Sequence, residues 1–122
     1  MTMRSKRDCL AEIYAYQADF DRRHGWLWEP RNDEEFINNL LYLGIALAGE
    51  VGELCNQIKK VVRYLKSIGN VPAEMLTTLK EELVDIFVYV IKGASQLLKM
   101  DLIEEYFKKM KKNEERFRDF KK

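Results

Sequence analysis

Apolar side chains recur at helical spacing along almost the whole chain, and no segment alternates at the period of a strand. In the first such stretch Leu10, Ile13, Tyr14, Gln17 and Phe20 share one face, which predicts a helix from about Ser5 to Arg23. His24-Gly25 ends it, and the segment Trp26 to Asn32, with Pro30 inside it, reads as a loop. Asn32 followed three residues later by Glu35 makes a capping box for a second helix reaching Leu65. Ser67-Ile68-Gly69-Asn70 stops that helix, and Pro72 suits the first turn of a third, running to about Lys99. Asp101 with Glu104 starts a fourth helix toward Phe117. Residues 118–122 read as a frayed tail. The expectation is an all-α, four-helix bundle forming one domain over 1–122.

The middle two helices depart from simple amphipathicity. Leu40 to Gly49 carries no charge, and Leu83, Val84, Ile86, Phe87, Val88, Val90 and Ile91 surround the third helix with apolar side chains. A helix apolar on all sides must be covered on more than one, and four helices of a short chain can hardly do it. The bundle is therefore expected to assemble into a dimer or tetramer through these helices. The competing reading makes the third helix the centre of an irregular monomer.

Composition narrows the class. Hydrophobic residues at 47% and charged residues at 34% of 122 match a globular chain, not a disordered one. Six glycines and two prolines leave little material for turns and favour long helices. With 21 basic and 20 acidic residues the net charge is +1, so no global field recruits nucleic acid or an anionic membrane. No apolar run is long enough to span a bilayer, and the polar, basic N-terminus lacks a signal-peptide core. A cytoplasmic location is expected. Cys9 and Cys55 sit among apolar neighbours and are expected as reduced thiols filling core space. Two cysteines and the single His24 make no zinc site.

The chemistry concentrates in four acids. Glu50 and Glu53 are three apart on the second helix, on the stripe carrying Leu43, Ala46 and Leu47, and so project together. Glu82 and Asp85 repeat the arrangement on the third helix, again among apolar neighbours. Paired glutamates are common on solvated faces, and Glu12, Glu34, Glu35, Glu81, Glu104, Glu105, Glu114 and Glu115 fit that description. Two acidic pairs on apolar faces of consecutive helices are a rarer arrangement, because unpaired buried carboxylates cost several kcal/mol. A divalent cation resolves the repulsion. Oxygen donors without histidine favour magnesium, or manganese, over zinc. A di-iron bundle would need Glu-x-x-His pairs, and no EF-hand loop is present.

On the fourth helix, Lys109, Asn113 and Arg116 lie at i, i+4 and i+7, a spacing that by itself reads as a solvated basic face. Tyr89, one turn beyond Asp85, and the loop residues Trp26 and Trp28 either pack or stack on a base.

The pattern Glu50-x2-Glu53, 28 residues, Glu82-x2-Asp85 resembles the motif of the MazG-like all-α nucleoside triphosphate pyrophosphohydrolases. Leu47-Ala48-Gly49-Glu50-Val51-Gly52-Glu53-Leu54 and Glu81-Glu82-Leu83-Val84-Asp85-Ile86-Phe87-Val88-Tyr89 are similar to the small dCTP pyrophosphatase branch. Lys109-Met110-Lys111-Lys112-Asn113-Glu114-Glu115-Arg116-Phe117 resembles the family's closing Lys-Met-x-x-Asn-x-x-Arg-Tyr signature. Phe117 replaces its tyrosine, and Lys60 stands where the dCTP branch carries a tryptophan. The resemblance implies a helical dimer or dimer of dimers that hydrolyses a nucleoside triphosphate to monophosphate and pyrophosphate. It implies metal on Glu50, Glu53, Glu82 and Asp85, a water oriented by Glu53, and phosphates on Lys109, Asn113 and Arg116. It also places Tyr89 near the nucleotide. The rival reading is a helical oligomer that binds nucleotides or regulates, without turnover.

Overall fold

A computed structural model describes residues 6–122, and among them every regular element is helical. Helix α1 spans Lys6–His24, α2 Asp33–Ser67, α3 Ala73–Lys92 and α4 Leu102–Arg116. A π-helical turn, Gly93–Leu97, continues α3, and a 3-10 turn, Arg118–Phe120, follows α4. No helix among the described residues is long and apolar enough to cross a membrane.

Each boundary has a local cause. Gly25 takes φ 74° just past α1, and Gly69 takes φ 91° just past α2, conformations that favour glycine at helix C-termini. Asn32 caps α2, its Oδ1 accepting from the Glu35 amide at 2.9 Å. The return half of the capping box is displaced by one residue: Glu35 Oε2 accepts from the Arg31 amide at 2.9 Å. The Arg31 guanidinium holds the same carboxylate, which draws it away from Asn32. Pro72, expected within the first turn of α3, is the residue before it. Asp101 Oδ1 caps α4, accepting from the amides of Ile103 and Glu104 at 3.0 and 3.1 Å.

The sequence reads as unbroken helix from Pro72 to Lys99, but the backbone widens after Lys92. Leu98 N donates to Gly93 O, and Met100 N donates to Ala94 O, both at 2.9 Å. Lys99, at φ 51°, then turns the chain into α4. A Cβ on Gly93 would stand 2.7 Å from Leu43 Cδ2, so the Leu43 side chain would have to shift to admit it.

Helix α3 packs on both α2 and α1, and α4 packs on α1. The Tyr14 hydroxyl of α1 donates to Met100 O at 2.9 Å and accepts from Leu102 N at 3.3 Å, pinning α1 to the start of α4. The buried apolar residues Trp28, Ile91, Ala94 and Leu97 cluster where α1, the loop and the π turn meet. The middle of the α2–α3 pair is uncovered: Ile45 is 74% exposed, Leu41 61% and Leu83 59%. Cys9 and Cys55, expected in the core, are both exposed, since within one chain nothing covers their faces.

Candidate active site

Helices α2 and α3 lie side by side and bring three of the four acids together. One carboxylate oxygen from each of Glu50, Glu53 and Glu82 falls within 4.8 Å of the others. Asp85, one turn from Glu82, falls outside that group but is close enough for its charge to act on Glu50 and Glu82. Exposure divides the set. Glu50 and Glu82 are half-buried, whereas Glu53 and Asp85 are open to solvent. Glu50 Oε2 and Glu82 Oε2 are buried without a hydrogen-bond partner, where most buried polar atoms have one.

Electrostatics follow from this crowding. Burial pushes the Glu50 carboxyl above its ordinary value, and the charges of Glu53 and Asp85 add to the effect. Burial also raises Glu82, with Glu53, Asp85 and Glu50 contributing. No lysine or arginine forms an ion pair with the group among the described residues. Carboxylates converging from two helices, two of them with a buried, unpartnered oxygen, fit a hard divalent cation.

A cavity of about 580 Å³ opens beside α2 and α3, lined by Trp26, Trp28, Asn39, Tyr42, Tyr89 and Lys92 among others. Its size suits a small-molecule ligand. Tyr42 and Glu50 are eight apart on α2, and Tyr89 and Asp85 four apart on α3, so both helices run directly from cavity to acids. Burial raises the Tyr89 phenol, with Tyr42, Glu50, Asp21 and Asp85 adding to the shift.

The loop forming one wall is fixed by buried polar side chains. Trp28 N donates to Gln96 Oε1 at 3.0 Å, and Gln96 Nε2 donates to Asp21 Oδ2 at 2.7 Å. Asp21 also accepts from Gln17 at 3.2 Å. Lys92 Nζ donates to Trp26 O at 3.3 Å, lies 3.6 Å from Asp21 Oδ2 and sits 4.2 Å from the centre of the Trp28 ring. Burial lowers the Lys92 ammonium, and Asp21 opposes that shift. Trp26 remains 57% exposed, one face stacked on His24 with ring centres 5.0 Å apart.

The structure therefore brings Glu50, Glu53 and Glu82 together, with Asp85 alongside, and gathers Trp26, Trp28 and Tyr89 around the cavity. It leaves Lys109, Asn113 and Arg116 on α4, with Lys109 and Arg116 exposed. No hydrogen bond or ion pair among the described residues joins those three to the acids. Asn113 donates to Met110 Sδ at 3.7 Å, and the Arg116 guanidinium lies over the Phe117 ring. The sequence reading missed Asp21, Asn39, Tyr42, Lys92 and Gln96. One signal was available, since Lys92 is the lone charge between Asp85 and Lys99.

The family model described as MazG nucleotide pyrophosphohydrolase domain matches residues 39–119. That stretch carries all four acids and the α4 residues, and leaves α1 and the tryptophan loop outside. A relative, "Gene 37 protein" of Mycobacterium phage L5, is 37% identical over 71 residues, covering 58% of this chain and 60% of the relative. The chain thus matches less than two thirds of that relative's length. No solved structure matches.

Proposed function

This chain belongs to the MazG nucleotide pyrophosphohydrolase family, and from that membership we propose that it hydrolyses a nucleoside triphosphate to monophosphate and pyrophosphate with magnesium. The observation that carries the reading is the pair of buried, unpartnered oxygens, Glu50 Oε2 and Glu82 Oε2, converging with Glu53. Unliganded, that arrangement is a like-charge cluster with no structural benefit.

Glu50, Glu53, Glu82 and Asp85 would hold the cation, and manganese fits the same donors. When bound, the metal supplies neutralisation of phosphate charge and a lowered pKa for water. Glu53, the solvent-open member of the trio, orients the attacking water and accepts its proton. The water oxygen bonds to the α-phosphorus, the α–β bridging bond breaks, and pyrophosphate leaves with the bridging oxygen. Lys109, Asn113 and Arg116 bind phosphate oxygens through charge-assisted contacts. Trp26, Trp28 and Tyr89 receive the base. The protein works in the cytoplasm as a homodimer or homotetramer that covers the apolar α2–α3 face, and it engages neither nucleic acid nor membrane.

A catalytically silent nucleotide-binding or regulatory oligomer is the second reading. The complete acidic set speaks against it, because loss of turnover would free these residues to be replaced by less repulsive ones. A panel of nucleoside triphosphates with magnesium, read as pyrophosphate release, tests the proposal. Release from at least one triphosphate that vanishes in EDTA supports it. Release from none rejects it.

A further inference from the structure

Lys92 is a buried cation with no part in the acid cluster. Its side chain is 8% exposed, and its partner Asp21 is 2% exposed. A buried ion pair gives little or no net stability over apolar side chains of similar volume, so packing alone does not account for it. Asp21 is fixed by Gln17 and Gln96 and faces the Lys92 ammonium.

An ammonium carries three donors. Lys92 has one hydrogen bond, to Trp26 O at 3.3 Å, and a looser ion pair with Asp21 at 3.6 Å. Its other neighbours are the faces of Trp28 at 4.2 Å and Tyr89 at 5.8 Å, both weak acceptors. Donor capacity is therefore left at the wall of the cavity that Lys92 lines. Trp26 stands at the same wall, backed on one face by His24 and Phe20, which orders an aromatic surface for a planar ring. Lys92 anchors that loop through Trp26 O, so the stacking surface and the donor are held in one register.

Resting on the pyrophosphohydrolase reading, we propose that Lys92 is a specificity-determining residue that donates to a carbonyl oxygen of the base, favouring cytosine, thymine, uracil and guanine nucleotides over adenine. Adenine has no carbonyl and presents an amino donor to a donor. Discrimination of this kind is strong where a buried polar group is left unpaired by the wrong ligand. The loop half of this pocket, with Trp26 and Trp28, lies outside the matched family segment, whereas Lys92 lies within it.

The test is titration calorimetry of dCMP, dTMP, dGMP and dAMP with magnesium, alongside pyrophosphate release from the four triphosphates. The wild type should bind dAMP roughly tenfold more weakly than the others, the worth of one charge-assisted hydrogen bond. Lys92→Met should bring the four within about twofold of one another by removing that bond. Because Lys92→Met strands the Asp21 charge, the double variant Asp21→Asn with Lys92→Met removes both charges together and keeps the fold testable. Discrimination that survives in either folded variant overturns the proposal, as does a wild type that binds all four equally or none. A binding gap that closes in the variants, with no pyrophosphate from any triphosphate, upholds base selection and rejects the hydrolase reading alone.

Discussion

Glu50 of α2 and Glu82 of α3 each bury one carboxylate oxygen without a hydrogen-bond partner, and Glu53 sets its own carboxylate within 4.8 Å of both. Two long apolar helices packed side by side hold the charges there. Both residues are half-buried, and each also feels the charges of its acidic neighbours. Conditions that add a cation, remove a charge or supply a proton should each relieve that repulsion.

Magnesium should stabilise the fold and EDTA should lower its melting temperature. At a hundredfold excess over Kd, one bound cation is worth about 2.7 kcal/mol. Glu82→Gln should melt higher than wild type in EDTA and lose most of its response to magnesium. Glu53→Gln should lower kcat by roughly a hundredfold or more, as expected for loss of a proton-accepting group. Thermal melts and pyrophosphate release measure the two effects. A Glu53→Gln enzyme with wild-type turnover would remove this cluster from the mechanism.

The acids also set a pH dependence. Both Glu50 and Glu82 are raised above the ordinary value of 4.5, first by burial and then by their acidic neighbours. A carboxyl raised in the folded state favours folding most below its unfolded value, and that contribution is lost as pH rises through the elevated folded value. In EDTA, the advantage of Glu82→Gln over wild type should therefore be small in acid and grow toward neutral pH. With saturating magnesium the order should reverse, since the ligands must be deprotonated to bind. Melting curves across pH in the two conditions decide it, and an EDTA advantage that shrinks as pH rises sinks the idea.

Much of this was legible in the sequence. The caps at Asn32 and Asp101 mark helix starts through a local rule, and the four acids stand out because three-residue spacing on an apolar helix face is a one-dimensional signal; the structure brings three of them within 4.8 Å of one another. What was not legible depends on contacts far apart in the chain. The π turn after Lys92 keeps a helix-like apolar pattern, so periodicity does not register it. Asp21, Gln96 and Lys92 meet across 75 and 71 positions, and nothing local to any of them announces the others. The cysteines were misplaced because apolar neighbours signal a core only when another helix covers that face.

The exposed α2–α3 face leads to a prediction about assembly. Ile45 at 74%, Leu83 at 59% and Val84 at 57% exposed form an apolar surface of the kind that monomers rarely leave open. Sedimentation should show a species at least twice the 14.5 kDa of one chain. Leu83→Asp and Ile45→Asp should shift it toward monomer or aggregate. Ile91, only 1% exposed, is already inside the chain, so Ile91→Asp should unfold it instead. A wild type that sediments as monomer at high concentration overturns the assembly.

The fourth helix offers the cleanest separation between a phosphate site and an ordinary basic surface. Within one chain, Lys109 and Arg116 are exposed and have no ion pair among the described residues, so their removal should hardly change the melting temperature. Surface substitutions of this kind stay within about 0.5 kcal/mol. Contacts to phosphate, in contrast, are worth about 1.5–3 kcal/mol each. Arg116→Ala should then lower kcat/KM roughly ten- to a hundredfold, with Lys109→Ala and Asn113→Ala losing efficiency in the same direction. Lys111→Ala, on the opposite face of the helix, should cost little in either measurement. Arg116→Lys keeps the charge but not the planar fork, and so should recover only part of the loss if the contact is bidentate. Equal, minor effects at all four positions would leave the acid cluster untouched and take the phosphate role away from α4.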